Sequence, residues 1–187
     1  MGDDRRVSLP IVTERLVLRP FRDEDLDALV AYRNDPEVAR YQDWDGISRD
    51  DALGMVRAQT QTSLGAPGRW QQIAIALATG GELVGDLGLF LSADGRSATL
   101  GFTLAKRYQG LGLAREALAG LIEALFGGAE VERLEAVTDT RNARAMALLA
   151  ALGFTVASTS DAHFKGGVCR EHTYVLPRRA DGPRFPR

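Results

Sequence analysis

Residues 109–114, Gln-Gly-Leu-Gly-Leu-Ala, constrain this chain more than any other stretch. They follow an apolar run, Leu100-Gly101-Phe102-Thr103-Leu104, which reads as a strand. After them Ala114, Ala117, Leu118, Leu121, Ile122 and Leu125 recur at spacings of three and four. That spacing gathers apolar side chains on one face of a helix. The six residues are therefore a glycine turn between a strand and the start of a helix. The first N–H groups of a helix have no partner within it, and they lie at the positive end of its dipole. Gly110 and Gly112 remove side chains that would keep a ligand away from those amides. The local chemistry predicts an anion site, with phosphate or pyrophosphate as the natural occupant.

The exact form of the turn narrows the choice. A dinucleotide-binding G-x-G-x-x-G needs a third glycine at position 115, where this chain has Arg115. A P-loop needs Gly-Lys followed by Ser or Thr, and no such triplet occurs. The bulk properties exclude other classes. The 187 residues, 45% hydrophobic and 26% charged, suit one globular domain. A net charge of −2 gives no basic footprint, so no nucleic-acid partner is expected. A single cysteine, Cys169, rules out an internal disulfide framework, and with only His163 and His172 no metal site is expected. There is no signal-peptide pattern and no apolar run long enough for a membrane helix. The expectation is a cytoplasmic protein without a membrane partner.

Along the chain, residues 1–10 read as a loose N-terminus. Residues 15–21 form a first strand. A helix follows from Asp23, with Leu26, Leu29 and Val30 on one face, and Asn34-Asp35-Pro36 ends it. Ser48, with Asp51 three residues on, caps a second helix through Ala52, Leu53 and Val56 toward Leu64. Strands at 70–78, 83–91 and 98–104 form an antiparallel meander joined by turns at Gly80-Gly81 and Asp94-Gly95. The third helix is the one after the glycine turn. A strand at 134–137, a helix from Asn142 and strands at 154–156 and 170–176 complete the domain, 11–176. The proline- and arginine-rich tail, 177–187, carries no regular pattern.

The turn matches Gln/Arg-x-x-Gly-x-Gly/Ala, and so resembles the coenzyme A pyrophosphate loop of the GNAT acyltransferase superfamily. The opening Thr13-Glu14-Arg15-Leu16-Val17-Leu18-Arg19-Pro20 is similar to the branch that acetylates ribosomal-protein N-termini. So are Asn34-Asp35-Pro36-Glu37-Val38, Leu83-Val84-Gly85, Tyr108-Gln109-Gly110, Asn142 and Leu152-Gly153-Phe154. The resemblance implies an α+β fold. It has one mixed, mostly antiparallel sheet of about seven strands, four main helices and a splayed strand pair that binds CoA. It implies acetyl-CoA as co-substrate, with a small-molecule amine or a protein N-terminus as acceptor, and it leaves a homodimer open.

Residue by residue, the resemblance assigns the pyrophosphate to the amides of Gln109, Gly110, Leu111, Gly112, Leu113 and Ala114, with Arg115 adding charge. It assigns the pantetheine arm to the backbone of Phe102, Thr103 and Leu104, and Asn142 to the cofactor's pantetheine end. Asn142 is equally suited to capping its helix, and one side chain can do both.

Acetyl transfer to an amine needs a deprotonated nucleophile, a polarised thioester carbonyl, close positioning and a proton for the leaving thiolate. Here the chain departs from the family. Thr99 stands where many members carry a glutamate base, Ala145 where this branch carries a serine, and Leu149 where others carry a tyrosine. Asp86, on the third strand, is a substitute base acting directly or through a water, while Glu82 reads as a solvated strand end. Asp43 and Asp45 flank Trp44 in the loop expected to line the acceptor side, with Tyr41 nearby. Carboxylates there suit a cationic amine, and Trp44 offers a cation–π wall. A solvated loop with one aromatic anchor is the alternative. His163 and Glu171 border the last strands, Tyr174 points to core or cleft, and Cys169 reads as a small buried residue. Two other functions stay open: a CoA-binding sensor without catalysis, and an enzyme modifying an antibiotic or polyamine amine.

Overall fold

The computed structural model describes residues 7–60, 63–180, 182 and 185. In chain order the elements are β1 (Val7–Ser8), β2 (Ile11–Val12), β3 (Leu16–Arg19), α1 (Leu26–Arg33), α2 (Pro36–Ala39), α3 (Arg49–Ala58) and β4 (Ser63–Leu64). Then come β5 (Trp70–Leu77), β6 (Leu83–Leu91), β7 (Ser97–Leu104), α4 (Leu113–Gly128), β8 (Arg133–Asp139), α5 (Ala143–Ala151), β9 (Thr155–Phe164) and β10 (Gly167–Pro177). The main sheet runs β2-β3-β5-β6-β7-β8-β10-β9, and β1 pairs separately with β4. Every neighbouring pair in the main sheet is antiparallel except β7 and β8.

The α+β, mostly antiparallel expectation holds, with more elements than predicted. Among the described residues the main sheet has eight strands rather than about seven, and there are five α-helices rather than four. Both additions are short: β2 has two residues and α2 four. Segments this short leave no periodic signal in sequence. Part of the N-terminus expected to be loose is packed: Val7 and Leu9 are buried in the main core. The helix capped by Ser48 ends at Ala58, and Leu64 belongs to β4 instead. The last two strands are far longer than predicted and form a hairpin. Residues 155–161 are exposed, so they lack the alternation that marks a strand with one buried face.

Two apolar clusters cover the sheet's two faces. Leu118, Leu121, Ile122 and Leu125 of α4 and Leu149 of α5 pack in one. Leu29 of α1 and Ala52 and Val56 of α3 pack in the other, with Trp44 partly buried against it. Each fully buried leucine contributes roughly 1.5–3 kcal/mol. Among the described residues no helix is long and apolar enough to cross a membrane.

One feature of the sheet positions everything else. The parallel pair β7–β8 is registered only at Ser97↔Arg133, Ala98↔Leu134 and Thr99↔Glu135. Beyond these rungs the strands part, while β7 stays paired with β6 as far as Leu104. The diverging half of β7 therefore presents an open backbone edge, and a single 3-10 turn, Lys106–Tyr108, joins it to the glycine turn.

Candidate active site

Gly110 and Gly112 both sit at φ +78°, a left-handed conformation that favours glycine. Gly112 is the N-cap of α4. Among the described residues, the backbone amides of residues 110–115 have no hydrogen-bond acceptor, whereas the Glu116 amide reaches the Gly112 carbonyl. The Gln109 amide is already spent on the Lys106 carbonyl at 3.2 Å, so the free run starts one residue later than predicted. The Gln109 side chain has a different task. Its Nε2 donates to the Leu104 carbonyl at 3.0 Å, and its Oε1 accepts from Arg144 Nη1 at 3.2 Å, tying the end of β7 to the turn. Arg115 Nε is buried without a hydrogen-bond partner among the described residues.

On the open edge of β7, the Phe102 carbonyl accepts from Gln42 Nε2 at 3.4 Å. The intervening Thr103 carbonyl faces β6, where a Cβ on Gly85 would come within 2.1 Å of it. Only glycine fits that position, which explains a glycine inside a strand. Asn142 caps α5, with its Oδ1 accepting from the Ala145 amide at 3.1 Å. Its amide nitrogen makes no hydrogen bond among the described residues, so the cap leaves that group available. The turn before it is braced by Asp139, whose carboxylate pairs with Arg141 and is lowered from its ordinary value first by that bond.

Asp86 does not lie open to the cleft. It is 1% exposed, and its Oδ2 is 2.5 Å from Arg33 Nη2. Burial raises its carboxyl above the ordinary range, even with Arg33 and the Tyr32 and Thr103 hydroxyls beside it. A carboxylate so enclosed cannot take a proton from an incoming amine without breaking the pair, which corrects its assignment as a direct base. The Tyr32 hydroxyl and Arg33 Nε, both buried, have no well-aligned partner. Burial, and then the Asp86 charge, push the Tyr32 hydroxyl well above its usual range. On its outer side the Arg33 guanidinium stacks on Trp44, 4.7 Å from the ring centroid. One face of the expected cation–π wall is thus already taken by the protein's own cation.

The loop carrying Tyr41, Asp43, Trp44 and Asp45 straddles the parted strands. Gln42 binds the β7 edge, and Tyr41 Oη donates to the Arg141 carbonyl at 3.2 Å, beyond the end of β8. A third tether comes from Lys165 at the tip of the β9–β10 hairpin. Its Nζ donates to the carbonyls of Ala39 at 2.8 Å and Trp44 at 2.9 Å, and lies 2.6 Å from the Asp45 carboxylate. Asp45 is therefore neutralised, while Asp43 is exposed with no ion pair among the described residues. Sequence reasoning missed Lys165. The available signal was Lys165-Gly166 between two strand-like runs, which forms the hairpin turn at φ +49° and +76°.

The remaining candidates fall outside this constellation. Thr99 lies on the last paired rung of β7–β8, and Ala145 and Leu149 are buried. Glu82 pairs with Arg107 at the surface. His163 is exposed on β9 and Tyr174 is in the core. The Cys169 thiol is pushed up by burial first and then by Glu171 and Asp139, the reverse of thiolate activation.

Residues 15–155 match the family model described as "Acetyltransferase (GNAT) domain". The chain belongs to the GNAT family and is an acetyltransferase. It is 30% identical over 145 residues to an uncharacterised N-acetyltransferase, p20, of Bacillus licheniformis, covering 77% of this chain and 81% of that one. Among solved structures, a GNAT-family acetyltransferase from Bacillus anthracis superposes with a TM-score of 0.80 at 19% identity, covering 90% of this chain and 98% of that chain. RimL, a ribosomal L7/L12 α-N-protein acetyltransferase solved with coenzyme A, superposes at 0.76 and 17% identity, covering 92% and 97%. At these identities the two structures speak to the fold.

Proposed function

We propose that this acetyltransferase uses acetyl-CoA and delivers the acetyl group to a primary amine by direct attack within a ternary complex. The observation that carries the reading is the run of acceptor-free amides at residues 110–115, set by two left-handed glycines. Amides at a helix start suit a pyrophosphate, and the buried, unpartnered Arg115 Nε adds a cationic donor. The edge-facing backbone of Phe102 and Leu104 suits the pantetheine arm, whereas Thr103 turns its carbonyl to β6, and the free amide nitrogen of Asn142 suits the arm's far end. Acetyl-CoA, when bound, supplies the activated acyl carbon.

The acceptor enters under the strap formed by the 41–45 loop. Asp43 is the carboxylate left there to attract an ammonium group, beside Tyr41 and the free side of Trp44. Asp86 acts indirectly, by holding Arg33 against Trp44. No side-chain base stands exposed at the positions the family uses, so the amine must arrive largely neutral. A peptide α-amine has an ordinary pKa of about 7.7–8.0 and a lysine side chain about 10.4. At neutral pH the first is a substantial nucleophile and the second is not. This favours a peptide or protein N-terminus, or a small amine of comparable basicity.

The test is CoA release from acetyl-CoA with three acceptor sets at pH 7.5: peptides with free N-termini, the same peptides N-terminally blocked with one lysine, and polyamines. Release with free N-termini, at rates falling steeply as amine pKa rises, supports the reading. Equal rates for blocked lysine peptides overturn the acceptor assignment. No binding of acetyl-CoA at millimolar concentration overturns the whole.

A further inference from the structure

Glu116 is out of place for a helix that receives an anion at its start. It stands in the first turn of α4, just past the acceptor-free amides. A carboxylate there competes with a bound anion for the positive end of the helix, and repels it directly. The structure shows how the conflict is resolved. Three donors from the segment before β3 enclose the carboxylate. Thr13 Oγ1 at 2.7 Å and the Arg15 amide at 2.6 Å hold Oε1, and Arg15 Nε at 2.6 Å holds Oε2. Burial alone would raise this carboxyl, yet the three donors outweigh it and hold it below its ordinary value.

Arg15 does more than neutralise. Its Nη1 donates to the Leu111 carbonyl at 3.0 Å, at the residue between the two left-handed glycines. Its Nη2 has no acceptor among the described residues, and it lies 3.4 Å from where a Cβ on Gly112 would stand. One guanidinium thus meets Glu116, the turn's backbone and the open side of Gly112.

Resting on the acetyl-CoA reading above, we infer that Arg15 is a positioning residue for the pyrophosphate. It cancels the Glu116 charge, pins the Leu111 carbonyl away from the amide run, and leaves one cationic donor beside the turn. It belongs to a segment about a hundred residues upstream of the turn, so the cofactor loop is shaped from outside itself.

The test uses the full chain with Arg15→Gln, Arg15→Lys, Glu116→Gln and the double variant Arg15→Gln/Glu116→Gln. Acetyl-CoA affinity is measured by calorimetry, and KM and kcat by CoA release, with thermal midpoints as the folding control. Arg15→Gln should weaken acetyl-CoA binding and raise its KM about tenfold or more with kcat little changed, and Arg15→Lys should lie between. Glu116→Gln alone should stay within about twofold, and in the Arg15→Gln background it should restore roughly half or more of the logarithmic loss. A purely structural brace predicts another pattern: both single variants equally harmful, kcat falling with stability, and no recovery in the double variant. That pattern, or Arg15→Gln binding within about twofold of the wild type, overturns the inference while leaving the acetyl-CoA reading intact. A wild-type chain that does not bind acetyl-CoA overturns both.

Discussion

Replacing Arg33 by methionine tests the electrostatics beneath the acceptor loop. The substitution leaves Asp86, 1% exposed, without the guanidinium that now sits 2.5 Å away. Removing one member of a buried ion pair costs about 3–5 kcal/mol, because the survivor stays desolvated. For a domain of this size each kcal/mol moves Tm by roughly 2–4 °C, so a fall of roughly 6–20 °C is expected at neutral pH. The pH dependence has a definite sign. Burial already holds the Asp86 carboxyl above its ordinary value of 3.8, against the pull of Arg33. Deleting Arg33 removes that pull and raises the carboxyl further. The folded state then binds a proton that the unfolded state has released, so stability falls as pH rises from about 4 toward neutrality. The deficit should be smallest near pH 4 and largest at pH 7. Arg33→Met/Asp86→Leu, with no charge left behind, should recover most of the loss. Melts followed by circular dichroism from pH 4 to 8 measure all of this. Because Arg33 also backs Trp44, the KM for the amine should rise while acetyl-CoA affinity holds. A Tm within about 2 °C of the wild type at pH 7, or a deficit flat with pH, would refute the account of this pair.

Three further outcomes follow from the same geometry. Gly112→Asp forces a side chain into a left-handed φ of +78° and sets a carboxylate among the free amides. Stability should fall by about 1–2 kcal/mol and acetyl-CoA affinity by about a hundredfold or more, read by calorimetry. Lys165→Ala cuts two tethers on the 41–45 loop and a third to the end of α2, at a solvent-facing site. It should cost at most about 1 kcal/mol and raise the KM for the amine severalfold without changing acetyl-CoA affinity, as steady-state kinetics will show. Glu116→Gln should be less stable than the wild type near neutral pH, with the gap closing in melts taken below the carboxyl's ordinary value of 4.5. The depressed carboxyl stabilises the fold above that value, and the contribution is lost as pH falls through the folded-state titration.

Much of the fold was legible because its determinants are local. The periodicity of Ala117, Leu118, Leu121 and Ile122 marks α4, and those residues are buried where the pattern puts them. Ser48 and Asn142 cap their helices through bonds to residues three positions on. The glycine turn was recognisable because a left-handed backbone admits few residue types. The long β9–β10 hairpin was not, because exposure on both faces removes the period-two signal, and its Lys165-Gly166 turn lacks the asparagine or aspartate of the strongest hairpin signatures.

The site divides along the same line. The run of amides at residues 110–115 follows from backbone geometry that the sequence specifies within a few residues, whereas the open edge of β7 depends on where β8 leaves it. Which charges meet was decided by the tertiary structure alone. Asp86 reads as a free carboxylate until α1 brings Arg33 to it across 53 positions. Asp45 reads as a partner for a cationic substrate until the hairpin tip brings Lys165. Glu116 gains its partner only when Arg15 arrives from 101 residues away. A charged side chain carries no local mark of its partner, and Coulomb attraction depends on distance in space, which only the folded chain sets.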